Sequence, residues 1–169
     1  MGIWDDVYLV STKSVYVEDV FIQTALRDSF SKAEVSVTVE VTNFEQDPIK
    51  LHLSLTIAEK SFDDENQYDL EKVVLLNPGK NIVRLHLDVD SPRLWWPNGY
   101  GEQPLYVAEL SVRNDDFVLD DYKVTFGIRE LRMLKNPGLG DDSYNLAFCV
   151  NGRKIFAKGA CWVPPDMLF

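Results

Sequence analysis

Two stretches of strict alternation constrain the fold more than any other feature of this sequence. In the first, valines occupy positions 35, 37, 39 and 41, with Glu, Ser or Thr between them. In the second, leucines at 51, 53 and 55 and an isoleucine at 57 alternate with polar residues. A period of two places alternate side chains on opposite faces of a strand. The pattern therefore predicts sheets with one buried face and one wet face.

We predict five further strands, two of which, 83–89 and 106–112, alternate in the same way, and Gly, Pro, Asn or Asp separates the strands at regular intervals. The predicted strands are 15–27, 35–41, 51–57, 67–76, 83–89, 106–112 and 117–133. No segment shows a helical period. Short alternating strands with regularly spaced turns are typical of immunoglobulin-like or fibronectin-like sandwiches. We predict an all-β fold, an immunoglobulin-like antiparallel β-sandwich of about seven strands.

The segment 92–106 departs from this regular pattern, because it places two adjacent tryptophans, three prolines and two glycines between two strands. A turn needs only a few Gly, Pro or Asn residues to reverse direction. Trp95 and Trp96 each carry a large apolar area that must be buried or bind something. We expect both to pack against the sandwich end or a neighbouring domain, with a sugar-stacking platform as the alternative.

After residue 135 the composition changes to a Gly- and Asp-rich link. Two apolar runs then flank Asn151-Gly152, a dipeptide that strongly favours a two-residue hairpin turn. We predict a C-terminal β-hairpin extension, and the apolar residues up to Phe169 lead us to expect that the natural protein continues further. Cys149 and Cys161 show neither zinc spacing nor a disulfide framework, so we expect two buried free thiols.

The net charge of −10 disfavours nucleic acid and anionic membrane surfaces as partners. The sequence shows no signal peptide and no apolar run of membrane-spanning length, and it leaves the compartment open. The acidic residues 63–65 lack the alternating ligand spacing of a calcium loop. His52 and His86 lie on the polar faces of strands with no nucleophile pattern around them. We predict no metal site and no cofactor.

Four motifs in order resemble glycoside hydrolase family 2, in its β-mannosidase-like branch. They are the segments 2–9 (GIWDDVYL), 94–106 (LWWPNGYGEQPLY), 126–129 (FGIR) and 151–166 (NGRKIFAKGACWVPPD). The resemblance implies that residues 1–13 are the tail end of a jelly-roll domain. It also implies an immunoglobulin-like domain at 14–135, followed at 136–169 by a linker and the hairpin that opens a (β/α)8 catalytic barrel, here truncated.

Members of this family are retaining glycosidases with two catalytic glutamates in the barrel, and their order in the family puts both beyond Phe169. The resemblance therefore implies a non-catalytic domain with no catalytic residue and no hydrolysis by this chain alone. Its partners would be the neighbouring domains of the same polypeptide, and a β-mannoside or related glycoside would be the substrate of the whole enzyme. The sugar itself stays open among mannosides, glucosaminides and galactosides.

For individual residues, we expect Trp4, Trp95, Trp96 and Tyr100 to pack between domains. Trp162 and Asp166 are the candidates for substrate binding, with packing under the barrel and helix capping as the respective alternatives. Cys161 stands where this branch more often has Asn. Arg129 is expected to form a structural ion pair and Glu130 to be an ordinary solvated strand residue.

Two other functions compete with that of an interdomain module. The first is a stand-alone carbohydrate-binding module that uses Trp95 and Trp96. The second is a generic cell-surface sandwich repeat, which would have no need of the Asn-Gly hairpin and its tail.

Overall fold

The computed structural model describes residues 5–61, 66–115, 117–136 and 146–161. This part of the chain contains strands and one 3-10 turn, and no α-helix. The elements are β1 Val15–Arg27, a 3-10 turn Asp28–Phe30, β2 Lys32–Asn43, β3 Ile49–Glu59, β4 Gln67–Leu76, β5 Gly79–Asp90, β6 Tyr106–Arg113, β7 Val118–Phe126, β8 Leu131–Lys135, β9 Leu146–Val150 and β10 Arg153–Ile155.

The first seven strands form two facing antiparallel sheets. One sheet has the order β1-β2-β5 and the other the order β4-β3-β6-β7. Apolar residues from both sheets meet in a single core. The predicted immunoglobulin-like sandwich of seven strands is confirmed.

The alternating residues that predicted the fold form the centre of this core. The valines of β2 at 35, 37, 39 and 41 and the apolar residues of β3 at 51, 53, 55 and 57 are at most 1% exposed. Burying each such side chain contributes about 1.5–3 kcal/mol. Shifting the register of β2 or β3 by one residue would turn all of its apolar side chains towards water. The pattern therefore fixes the register as well as the fold.

The structure contradicts the single long strand predicted at 117–133. β7 ends at Phe126, and after a four-residue break β8 pairs with β9 in a third sheet of order β10-β9-β8. In the break, Ile128 is fully buried in the core, and its carbonyl accepts a hydrogen bond from the Trp95 amide at 2.8 Å. The chain therefore crosses the end of the sandwich here instead of continuing along the sheet edge.

The predicted hairpin is confirmed. β9 and β10 pair around Asn151 and Gly152, whose φ angles of 47° and 77° are both positive. Asn and Gly tolerate this left-handed backbone, which the tight hairpin turn requires. The expectation of two buried thiols is wrong for one cysteine, because Cys149 is buried and Cys161 is exposed. Both are free.

Candidate functional site

The Trp-Trp loop, residues 91–105, connects β5 to β6 across one end of the sandwich. Two backbone hydrogen bonds of 2.8 Å fix its tryptophans, from the Trp95 amide to the Ile128 carbonyl and from the Trp96 amide to the Glu102 carbonyl. At the base of the loop, the Arg93 amide donates to the buried Tyr106 hydroxyl at 2.9 Å. The loop is therefore held at its start, at its centre and against the crossing segment 127–130.

The Trp95 indole is half-buried between two residues of that crossing segment. A Cβ placed on Gly127 would lie 2.8 Å from Trp95 Cγ, so only glycine allows this approach. The Arg129 guanidinium carbon lies 4.6 Å from the ring centroid. A guanidinium at this distance over an indole face gains a cation–π attraction of about 0.5–1 kcal/mol or more. The Arg129 guanidinium thus occupies one face of the Trp95 ring.

Trp96 is also half-buried, and it packs within its own loop. A Cβ on Gly101 would lie 2.8 Å from Trp96 Cγ. The Gln103 side-chain amide donates to the Trp96 carbonyl at 3.0 Å and to the Gly101 carbonyl at 2.7 Å. Gln103 thereby fixes the loop from inside.

Tyr100 connects the Trp-Trp loop to the chain that leaves the hairpin. Its hydroxyl accepts a hydrogen bond from the Phe156 amide at 3.0 Å. The Arg153 guanidinium lies 5.3 Å from the Tyr100 ring centroid. The hairpin exit is therefore attached to the loop by a hydrogen bond and a cation–π contact.

Asn151 makes the most extensive connection between the hairpin and the sandwich. Although it lies in a turn, it is only 4% exposed. Its side-chain amide donates to the Trp95 carbonyl at 3.0 Å, and its side-chain carbonyl accepts from the Glu130 amide at 2.9 Å. Its own backbone amide donates to the Glu130 carbonyl at 2.9 Å. One side chain thus satisfies polar backbone groups from the loop and from the crossing segment, which would otherwise be costly to bury.

Two further contacts come from the turn between β1 and β2 and from the C-terminal end of β1. The Phe30 ring lies beside the hairpin turn, where a Cβ on Gly152 would come within 3.0 Å of Phe30 Cζ. Near the end of β1, the Thr24 hydroxyl donates to the Arg129 carbonyl at 2.7 Å. We call this set of contacts the junction: it joins loop 91–105, segment 127–130 and turn 151–152, with added contacts from Thr24, Phe30 and Phe156.

Comparison with known proteins agrees with this architecture. The profile of Glycosyl hydrolases family 2 matches residues 15–129, the sandwich up to the crossing segment. The chain belongs to this family. A relative, Beta-mannosidase B from Emericella nidulans, is 32% identical over 99% of the chain. Mannosylglycoprotein endo-beta-mannosidase from Lilium longiflorum is 28% identical over 99% of it. The chain spans only about 18% of the length of each of these relatives.

Solved structures agree at the level of the fold. A β-D-mannosidase from Dictyoglomus thermophilum superposes with a TM-score of 0.75 at 22% identity, covering 93% of this chain and 18% of that one. A family 2 member from Bacteroides cellulosilyticus gives a TM-score of 0.72 at 26% identity, covering 89% of this chain and 19% of that one. The chain corresponds to a domain-sized part of β-mannosidase-like proteins of family 2.

Of the candidate residues in this family 2 chain, the structure brings Trp95, Trp96 and Tyr100 together in one loop. Trp4, Trp162 and Asp166 lie outside the described residues, and their predicted roles stay predictions. The sequence did not reveal the role of Asn151. Its turn-forming dipeptide was visible, but its hydrogen-bond partners belong to distant segments.

Two neighbouring charged residues differ from expectation. Arg129 was expected in an ion pair, and its guanidinium stacks on the Trp95 ring instead. Glu130 was expected to be solvated, but its side chain is only 16% exposed and pairs with Arg132 at 2.6 Å. Both residues therefore contribute to the structure of the junction.

The clearest electrostatic feature of the family 2 sandwich lies on β1. The Glu18 carboxylate accepts hydrogen bonds from Lys80 Nζ at 2.6 Å and from the Thr42 hydroxyl at 2.5 Å. These bonds, that of Lys80 first, lower the pKa of Glu18 below its ordinary value, and the same contact raises the pKa of Lys80. This pair stabilises the ionised forms of both residues at neutral pH.

The two histidines have simple structural surroundings. His86 Nδ1 lies 3.0 Å from the Ser36 hydroxyl, and His52 Nε2 lies 3.5 Å from the Asp115 carboxylate. Among the described residues, no group of three or more His, Cys, Asp and Glu side chains is arranged to hold a metal ion. The described part of the chain also has no helix of the length and apolarity that a bilayer crossing requires.

Proposed function

We propose that this chain is the non-catalytic immunoglobulin-like domain of a β-mannosidase-type retaining glycoside hydrolase. In this proposal it braces a preceding jelly-roll domain against a following catalytic barrel. The family membership and the β-mannosidase relatives support the enzyme class. The size of those relatives supports the module, because a segment of this length leaves most of each relative to other domains.

The observation that carries the bracing role is an exposed apolar face on the third sheet. Met133 pairs directly with Phe148 and Lys135 with Leu146, so these side chains share one face. Met133 is 57% exposed, Leu146 51% and Phe148 39%, and Leu131 on the same face is 54% exposed. Contiguous exposed apolar residues mark interaction surfaces. We propose that the barrel that follows β10 in the longer protein covers this face.

The junction supports this role by making the third sheet part of the sandwich. A hairpin attached only by a flexible link would sample many orientations. Here Asn151 attaches its turn to Trp95 and Glu130, and Tyr100 attaches its exit at Phe156. The apolar face of the third sheet therefore keeps a fixed orientation relative to the sandwich. A domain seated on it would therefore be positioned relative to the sandwich.

In the same proposal, catalysis resides in residues outside 1–169. A retaining glycosidase needs two carboxyl groups about 5–5.5 Å apart on either side of the scissile bond. The family resemblance assigns both to the barrel. Incubating the purified chain with an aryl β-mannoside should release no phenol above the buffer rate. Turnover by the chain alone would refute the proposal that the catalytic residues lie outside residues 1–169.

A pair of matched substitutions tests the bracing role. Met133→Glu places a charge on the third sheet, and Leu75→Glu places one on β4, where Leu75 is 64% exposed. In the chain alone both should change the free energy of unfolding by no more than about 0.5 kcal/mol, because both sites face solvent. In a protein in which a family 2 barrel follows the chain, only Met133→Glu should lower the melting temperature and the turnover. Equal effects of the two variants in the longer protein would refute the proposal.

The alternative, a carbohydrate-binding module using Trp95 and Trp96, has its own test. The half-buried rings, with Gly127 and Arg129 against the first and Gly101 against the second, weigh against it. Titration of the chain with mannose or mannobiose should leave its tryptophan fluorescence unchanged. A saturable change that Trp95→Ala abolishes would favour the alternative over the bracing role.

A further inference from the structure

Two Asn-Gly dipeptides occur in this chain, and the structure places them in opposite environments. Asn98-Gly99 lies at the exposed tip of the Trp-Trp loop, and Asn151-Gly152 lies in the hairpin turn. Asparagine followed by glycine is chemically labile, because the unhindered glycine nitrogen can attack the side-chain amide. Asparagine is accordingly among the thermolabile residues that thermophilic proteins reduce. The chain therefore contains two copies of one reactive dipeptide, which can be compared directly.

We propose that Asn98 is a site of spontaneous deamidation in the folded protein and that Asn151 is protected from the same reaction. The Gly99 nitrogen attacks Cγ of Asn98, a C–N bond forms, and the Cγ–Nδ2 bond breaks. The nitrogen's proton leaves with the amide as ammonia. Water then opens the cyclic imide at either carbonyl and gives an aspartyl or isoaspartyl residue. The net reaction consumes one water and releases one ammonia, without oxidation or reduction.

The surroundings of Asn98 oppose this reaction only weakly. Asn98 and Gly99 are both exposed, and a Cβ at Gly99 would meet nothing within 4 Å. Among the described residues, the Asn98 side chain makes no hydrogen bond that would hold its amide. The Tyr100 amide donates to the Pro97 carbonyl at 3.0 Å and closes the turn around the dipeptide. The rotation that brings Cγ to the Gly99 nitrogen therefore requires the loss of at most one backbone hydrogen bond.

The surroundings of Asn151 oppose the same reaction. The side chain is buried, its Nδ2 donates to the Trp95 carbonyl, and its Oδ1 accepts from the Glu130 amide. Both bonds must break before Cγ can reach the Gly152 nitrogen. Two hydrogen bonds of ordinary strength correspond to a slowing of roughly tenfold to a hundredfold. The hairpin pairing between β9 and β10 restrains the backbone in addition.

Deamidation at position 98 also has a structural consequence that can be measured. An isoaspartyl residue adds one carbon to the backbone between Pro97 and Tyr100. The turn that these two residues close would open, and the Tyr100 hydroxyl would move away from the Phe156 amide. Position 98 also shares a groove with Phe156 and Lys158, so the reaction adds a negative charge there. Aging of Asn98 would therefore loosen the connection between the loop and the hairpin exit.

Peptide mapping of the intact chain tests the proposal. The chain is incubated at 37 °C and pH 8 and then digested with trypsin, which separates Asn98 in peptide 94–113 from Asn151 in peptide 136–153. Mass spectrometry measures the replacement of amide by carboxylate, and enzymatic methylation measures isoaspartate. We expect position 98 to convert at least about tenfold faster than position 151 in the folded chain. In urea the two rates should become similar, because both asparagines precede a glycine and the folded surroundings are lost.

Two controls connect the rates to the structure. Asn98→Gln should abolish the conversion of peptide 94–113, since the longer side chain forms the cyclic imide far more slowly. Aged wild-type chain, but not aged Asn98→Gln, should show faster hydrogen exchange at the Phe156 amide. The proposal is overturned by equal rates at the two sites in the folded chain. It is also overturned if position 98 is stable in the folded chain over a period in which the unfolded chain converts.

Discussion

Gly127→Ala adds one methyl group at the point where the crossing segment passes under Trp95. The new Cβ would lie 2.8 Å from Trp95 Cβ and Cγ and 2.9 Å from Cδ1. Carbon atoms pack best at about 3.5–4.0 Å, so the contact is too short by roughly 1 Å. Trp95 cannot retreat easily, because its amide binds the Ile128 carbonyl and its own carbonyl binds Asn151.

Overpacking of this kind costs about 1–3 kcal/mol. The lower entropy of the unfolded alanine chain offsets about 0.4–1 kcal/mol of that cost. The net loss of folding free energy is therefore between about 0 and 2.6 kcal/mol, and its midpoint of about 1.3 kcal/mol lowers the melting temperature of a chain of this size by roughly 3–5 °C. Gly159→Ala is the matched control, because a Cβ there would meet nothing within 4 Å. It should stay within about 0.5 kcal/mol of the unsubstituted chain.

Urea and thermal unfolding, followed by tryptophan fluorescence, measure both variants. A double variant with Trp95→Ala separates the causes, because removing the indole removes the Cγ and Cδ1 contacts. Gly127→Ala should then cost less than it does in the presence of Trp95, which a double-mutant cycle reports as a coupling energy. If Gly127→Ala and Gly159→Ala have the same stability, the packing argument for the crossing segment is wrong.

Two further predictions concern polar contacts. Asn151→Gly keeps the turn conformation but removes both side-chain hydrogen bonds, so it should lower the free energy of unfolding in urea by about 2–4 kcal/mol. The control Asn98→Gly, at an exposed site, should cost less than about 0.5 kcal/mol. Equal costs would contradict the role of Asn151 in connecting the hairpin to the sandwich. The lowered pKa of Glu18 means that its contacts stabilise the fold above its ordinary pKa of 4.5 and are lost as the pH falls through the folded value. The stability difference between the unsubstituted chain and Glu18→Gln should therefore shrink as the pH falls from 7 to 3, and a constant difference would refute the linkage.

The seven strands of the sandwich and the hairpin could be predicted from the sequence because their signals are local. The alternation on β2 and β3 and the dipeptide Asn151-Gly152 act over a few neighbouring residues. The packing of Trp95, Trp96 and Tyr100 between domains stays a prediction; within the described chain, Trp95 contacts segment 127–130 and Tyr100 contacts the hairpin exit.

The break between β7 and β8 could not be predicted in this way. Within residues 117–133 the local signal for a break is weak, because a single interior Gly127 is compatible with a bulge in a continuous strand. The interruption depends on the approach of Trp95 and on the hydrogen bonds of Asn151, both distant in sequence. The stacking of Arg129 on Trp95 was missed for the same reason, since its partner lies in another loop.

The hydrogen bonds of Asn151 also determine how long a segment must be for the sandwich to be transplanted intact between related proteins. A cut at residue 135, where the composition changes, would separate β8 from β9, its pairing partner. It would also leave the Glu130 amide and the Trp95 carbonyl without the side chain that binds them. A chimera that transplants the sandwich should therefore extend at least to residue 156, so that the hairpin and its exit move with the loop that they contact.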